Sequence, residues 1–180
     1  MKKILVTGAN KGIGLGIVTC LLRSCPDTFV YLGCRDAEKG HIAIEPLVKE
    51  CGDWVERLCV LEIDVADRNS TKLAASKIRE YHSKDGSLLY AIVNNAGIAR
   101  SDGGVAPILE VNTFGPRRVF EEFLYLIDPK KGRIVNVTSA SGPNYLSQCD
   151  EYVRKKLTTQ NITWDEITSL VENFLNQYRD

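Results

Sequence analysis

The chain has no imbalance of charge: 23 lysines and arginines stand against 23 aspartates and glutamates. No field of one sign covers it, so neither nucleic acid nor an anionic membrane surface is an expected partner. It also has no long apolar run at its start. Two lysines and then only Ile4, Leu5 and Val6 precede the first glycine region, too few for a secretory signal or a membrane span, and a cytoplasmic location is the expectation. Cysteines occur, but in no Cys-x-x-Cys spacing, and only His41 and His82 could add imidazole ligands. Neither a zinc site nor a disulfide framework is expected. No repeat or low-complexity stretch divides the 180 residues, a length that suits one domain with its own core.

What is present begins at once. Ile4-Leu5-Val6 is a short apolar run of the kind covered on both faces in a parallel sheet. Gly8, Gly12 and Gly14 follow in Thr7-Gly8-Ala9-Asn10-Lys11-Gly12-Ile13-Gly14. Glycine allows positive φ and lets a ligand approach the backbone. A helix starting there directs free N–H groups and its dipole at the gap, which suits the pyrophosphate of a dinucleotide. The spacing alone also fits a glycine turn that merely packs a helix on a strand.

The rest of the chain alternates. Ile13, Ile17, Val18, Leu21 and Leu22 lie on a helical period that must end by Cys25-Pro26. Thr28 to Cys34, β-branched and aromatic, predicts a second strand, and Arg35-Asp36 opens a helix ending by Gly52. Val55 to Ile63 predicts a third strand closing at Asp64-Val65. Arg68 to Tyr81 predicts a helix with Leu73, Ala74 and Ile78 inward, punctuated by Gly86. Leu88 to Val93 predicts a fourth strand, Ile108 to Ile127 one long helix, and Arg133 to Thr138 a fifth strand. Such alternation implies βαβ units and an α/β, Rossmann-like, doubly wound parallel sheet.

After Ser139 the alternation stops. Gln148 to Leu157 and Thr163 to Tyr178 both predict polar helices, the second opened by a Thr163/Glu166 capping box. The expected organisation is one dinucleotide-binding domain over 1–180, with 145–180 a helical segment and the sheet incomplete at five strands. The fifth strand, Ile134-Val135-Asn136-Val137, would then form an open edge through which copies could pair.

Four matches in order give this sequence its resemblance to the short-chain dehydrogenase/reductase family, and within it to monomeric NADPH-dependent carbonyl reductases. They are the glycine stretch from Thr7 to Gly14, the Asp64-Val65 pair, the tetrapeptide Asn94-Asn95-Ala96-Gly97, and Asn112 with Ser139. The resemblance implies cofactor contacts from Gly8, Asn10, Lys11, Gly12, Ile13, Gly14, Asp64, Val65, Asn95, Ala96 and Gly97. Asn94 to Gly97 also read as ordinary turn residues at a strand end. Cofactor choice has a physical argument too. An NAD site accepts from ribose hydroxyls with a carboxylate at the end of the second strand, whereas here that strand ends in Gly33-Cys34-Arg35. The Arg35 guanidinium suits a 2′-phosphate and Lys11 adds a second charge, so NADPH is the expected cofactor; a surface Arg35 paired with Asp36 is the alternative.

Carbonyl reduction needs a hydride, a donor that holds the carbonyl, and an acid. By resemblance Ser139 is the carbonyl-holding serine and Asn112 the asparagine that helps to hold a water relay, with a small-molecule aldehyde, ketone or quinone as substrate. Both residues also fit a plain turn and a plain helix position. Tyr152 and Lys156 have the family's Tyr-x-x-x-Lys spacing, yet Val153-Arg154-Lys155 between them is bulky and charged. Cys149 to Leu175 instead resembles a helical segment that monomeric carbonyl reductases insert before their own tyrosine and lysine, covering a face that other members use for association. A monomer is therefore expected, and the sequence reads as ending before the acid. The function expected is NADPH-dependent carbonyl reduction, in a chain that is truncated, naturally short or incompletely read; the alternative is a non-catalytic NADP(H)-binding or interaction module.

Overall fold

The computed structural model describes residues 1–83 and 88–177; Gly86 and Tyr178 lie outside the described residues. Five strands form one sheet in the order β3-β2-β1-β4-β5, all parallel. They are β1 (Lys2–Val6), β2 (Thr28–Cys34), β3 (Leu58–Glu62), β4 (Leu89–Asn94) and β5 (Arg133–Asn136). β1 is central because it is apolar throughout its inner length: Ile4 stands opposite Val30 on one side and Ala91 on the other. Its successive side chains feed two cores. Ile4 and Val6 join Val18, Leu22 and Leu47 under α1 (Gly12–Ser24) and α2 (Ala37–Glu50). Leu5 joins Ala74, Ile78, Val119 and Phe123 on the opposite face, under α3 (Arg68–Ser83) and α5 (Gly115–Phe123). This alternation is what a sheet covered on both faces requires.

Four expectations change. Val55 to Arg57 is not strand but part of a 3₁₀ segment, Gly52–Arg57, which turns Trp54 into the core and leaves Val55 60% exposed. β-branching at Val55 is overridden by burial of its larger neighbour. On α3 the inward face is Thr71, Ala74, Ala75 and Ile78, and Leu73 is 64% exposed, about 100° from that face on the helical wheel. The single helix expected over 108–127 is instead α4 (Val105–Leu109), a π turn (Glu110–Phe114), α5 and a 3₁₀ turn (Leu124–Leu126). The helix expected over 148–157 is α7 (Glu151–Thr158), which starts at Glu151 because the Asp150 carboxylate accepts from Val153 N–H at 2.8 Å and caps it, and a further helix that the sequence did not predict, α6 (Ser141–Gln148), ends where that one was expected to begin.

Two features at the chain's far side agree with the sequence. α8 (Trp164–Gln177) opens on the capping box: Thr163 N–H donates to Glu166 Oε2 at 2.9 Å and Glu166 N–H donates to Thr163 Oγ1 at 3.3 Å. β5 is an edge strand with every residue exposed.

Candidate functional site

The carboxyl ends of β1, β2, β3 and β4 open onto one cleft of about 560 Å³, at the crevice where the chain's direction of travel across the sheet reverses. Its floor is the turn after β1. Gly8 and Gly12 have φ of +63° and +56°, in the left-handed region that favours glycine. A Cβ on Gly8 would lie 2.7 Å from Ala96 Cα, and one on Gly14 would lie 2.4 Å from Gly8 O, so the turn closes onto the β4 loop without room for a side chain.

Thr7 makes that closure specific. Its hydroxyl, 1% exposed, accepts from the N–H groups of both Asn95 and Ala96 at 3.1 Å and donates to Val93 O at 3.4 Å. The Asn95 amide donates back to Thr7 O at 2.9 Å and Gly8 O at 3.1 Å. The β1 turn and the β4 loop are thus stitched in both directions. Above them α1 begins with no side-chain cap and no acidic residue in its first turn. Its first N–H groups face the cleft as donors for an anion.

On the β2 side stand Arg35, Asp36 and Lys39. Asp36 pairs with Lys39 at 3.0 Å and caps α2 by accepting from Lys39 N–H at 3.1 Å, not with Arg35. Hydrogen bonds from the Lys39 N–H and ammonium hold its carboxyl below the usual range. Among the described residues the side chains of Arg35 and Lys11 have neither hydrogen-bond nor ion-pair partners. Next to them the buried thiol of Cys34 is pushed up by burial, which leaves it an inert wall. At the end of β3 one Asp64 oxygen accepts from Ala66 N–H at 2.9 Å. At the β4 end, Ile98 and Val111 supply apolar lining.

The structure brings together Gly8, Asn10, Lys11, Gly12, Ile13, Gly14, Arg35, Asp64, Val65, Asn95, Ala96 and Gly97, all of which line this cleft. It does not bring Asn112 or Ser139 into the lining. Asn112 sits in the π turn with both ends of its amide on Ile98: Oδ1 accepts from Ile98 N–H and Nδ2 donates to Ile98 O, both at 2.9 Å. It clamps the loop after β4. Ser139, exposed beyond β5, lies 3.1 Å from both the hydroxyl and the N–H of Ser141. Tyr152, 67% exposed on α7, pairs with Lys156, whose ammonium lies 5.1 Å from the ring centre and is pushed up in pKa by the phenol oxygen. Sequence reasoning missed Thr7, Cys34, Lys39, Ile63, Ile98 and Val111. Lys39 alone carried a signal, one helical turn past Arg35 on the same side. Among the described residues no group of side chains could hold a metal ion, and no helix is long and apolar enough to cross a membrane.

A five-stranded parallel sheet with a glycine turn, an uncapped helix and a cleft at its reversal point defines a dinucleotide-binding type of α/β protein. The family model for short chain dehydrogenases matches residues 2–164, and the chain belongs to that family. Carbonyl reductase (NADPH) 1 of Bos taurus is 35% identical over 185 residues, taking in 98% of this chain and 62% of that protein. The chain thus spans about three-fifths of that relative's length, 62%. Among solved structures, the NADPH-bound carbonyl reductase from chicken fatty liver is 29% identical with a TM-score of 0.67, covering 90% of this chain and 70% of that one. Menthone neomenthol reductase from Mentha piperita is 25% identical with a TM-score of 0.83, covering 98% and 74%.

Proposed function

We propose that the cleft binds NADPH and that the chain serves, in the cytoplasm, the reduction of aldehydes, ketones or quinones. The observation that carries this is the pair of unpartnered cations, Arg35 and Lys11, flanking an uncapped helix N-terminus in one cleft. The donors fit the cofactor's charge. N–H groups of α1 would hold the pyrophosphate, Arg35 the 2′-phosphate with Lys11 and Lys39 beside it, and Asp64 would accept from the adenine amino group. Because β2 and β3 lie on one side of β1 and β4 on the other, Arg35 and Asp64 would hold the adenosine half and Gly97 and Ile98 would border the nicotinamide half. When bound, NADPH supplies a hydride. Ser139 offers a hydroxyl to hold the substrate carbonyl, and Asn112 fixes the loop against which the nicotinamide rests. Residues 1–180 act as one domain with 145–180 as its helical appendage, monomeric unless the open edge of β5 pairs with a copy.

A second reading, an NADP(H)-binding or interaction module without turnover, is favoured by one observation: among the described residues no tyrosine lines the cleft, and Tyr152 is exposed and paired with Lys156. Nicotinamide fluorescence titration with NADPH and NADH tests the cofactor assignment. Arg35→Asp should weaken NADPH roughly 10- to 100-fold, the loss of a bidentate charge-assisted contact, and leave NADH little changed. Equal affinities in the unmodified chain would refute it. NADPH oxidation with a reactive dicarbonyl separates the two readings: turnover abolished by Tyr152→Phe returns the acid to Tyr152, and tight binding without turnover supports the module.

A further inference from the structure

We infer that Trp164, the first residue of α8, is a positioning residue for the nicotinamide end of the cleft, acting through the π turn that carries Asn112. The inference rests on the NADPH reading above. Trp164 meets Phe114 edge to face, with ring centres 5.8 Å apart, and the Arg117 guanidinium lies 5.0 Å from its ring centre. Phe114 is the last residue of the π turn and Arg117 lies in the first turn of α5. One indole therefore bridges the point where π winding returns to α.

That point is where a helix of this kind is mechanically free. A π turn is one extra residue in the winding, and local contacts decide where along the helix it sits. Here Arg118 spans the turn, donating to Glu110 O at 3.1 Å and lying 6.0 Å from the Phe114 ring centre, and contacts on three further sides hold it. On the β3 side Gly115 packs against Val65 so closely that an added Cβ would lie 2.9 Å from Val65 Cγ2, leaving no room to shift that way. On the cleft side Asn112 grips Ile98 through two hydrogen bonds. On the outer side Trp164 grips Phe114 and Arg117. Arg117 is itself held, its Nε 2.7 Å from Glu121, which also takes Arg68 at 2.8 Å. The Thr163/Glu166 capping box fixes the backbone from which Trp164 projects. Without the indole, the outer grip is lost and the turn is left to the Asn112 clamp, the Gly115–Val65 packing and Arg118. Ile98 and Val111, which line the cleft, are the residues that then move.

The test compares two ligands on the full chain. NADPH occupies both halves of the cleft, whereas 2′,5′-ADP reaches only the Arg35 and Asp64 half. Trp164→Ala should weaken NADPH about fivefold, the scale of one aromatic pair plus one cation–π contact, and leave 2′,5′-ADP affinity within about twofold. Trp164→Phe, which keeps an edge-to-face ring, should restore NADPH binding. Arg117→Gln should move NADPH in the same direction as Trp164→Ala and serves should that variant fail to fold. Equal losses for both ligands, or no loss for either, would overturn the positioning role. If the unmodified chain binds neither ligand, the cofactor reading itself fails.

Discussion

Thr7→Val keeps the shape and the burial of the side chain and removes only the hydroxyl, so its effect reads the seal between the β1 turn and the β4 loop. Two N–H groups, of Asn95 and Ala96, lose an acceptor at 3.1 Å. Each would cost about 1–3 kcal/mol if fully buried. Both residues are half-buried at the cleft wall, where water replaces part of the lost bonding, and a total of about 2 kcal/mol is expected. Val93 O keeps its bond from Thr7 N–H at 3.0 Å, so the acceptor side adds little. With a urea slope of about 2 kcal/mol per molar, the unfolding midpoint should fall by about 1 M. Thr7→Ser keeps the hydroxyl and loses one methyl, for about 1 kcal/mol and half that shift. Urea unfolding followed by circular dichroism measures both, and NADPH titration of the folded variants should show weaker binding for valine alone. A valine midpoint within about 0.2 M of the unmodified chain, or a serine variant as unstable as the valine one, refutes the reasoning.

Glycine substitutions should split by position: Gly14→Ala forces a Cβ to 2.4 Å from Gly8 O and should abolish NADPH binding, whereas Gly16→Ala, with nothing within 4 Å of its added Cβ inside α1, should raise stability by about 0.5–1 kcal/mol in thermal melts. The Glu166 carboxyl, accepting from Thr163 N–H and hydroxyl, is held below the usual range. Its contribution to α8 is therefore fully present above the unfolded-chain pKa and lost as pH falls from there through the lower folded value; the protection of the Thr163 amide, its exchange rate by NMR relative to the intrinsic rate at each pH, should fall across that window, and Glu166→Gln should flatten the profile. Val135→Lys places a charge on the open β5 edge, and sedimentation at high concentration should show less self-association than in the unmodified chain.

The glycine turn and the strand ends were legible because their chemistry is local. Gly8, Arg35 and Asp64 each stand at the end of a largely apolar stretch, and parallel strands in one sheet bring their carboxyl ends to one side whatever the intervening helices do. β2 was legible to the residue, Thr28 to Cys34, because its β-branched and aromatic run ends at charge. The π turn was not. The apolar period from Ile108 to Ile127 suits one continuous helix, and the π turn within it makes its contacts to residues distant in sequence, Asn112 to Ile98 and Phe114 to Trp164. Thr7 was read as part of a motif and not as a hub, since its three hydroxyl partners lie in a strand and loop that the chain reaches only much later. Leu73 and Val55 show the converse: apolar type predicted burial, and packing chose Ala75 and Trp54 instead.

The strand order has a kinetic consequence. β1 is the first strand in the chain and the central one, and its partner on one side, β2, follows after a single helix. On the other side it waits for β4, and the Thr7–Val93 bond closes a separation of 86 residues. Contacts across such distances form slowly compared with neighbouring βαβ pairing. The half of the cleft that carries Arg35, proposed to grip phosphate, can therefore assemble while the half at the β4 loop, proposed to seat the nicotinamide, is still unfolded. During refolding, a nucleotide carrying only the adenosine 2′-phosphate end should be recognised earlier than the whole cofactor.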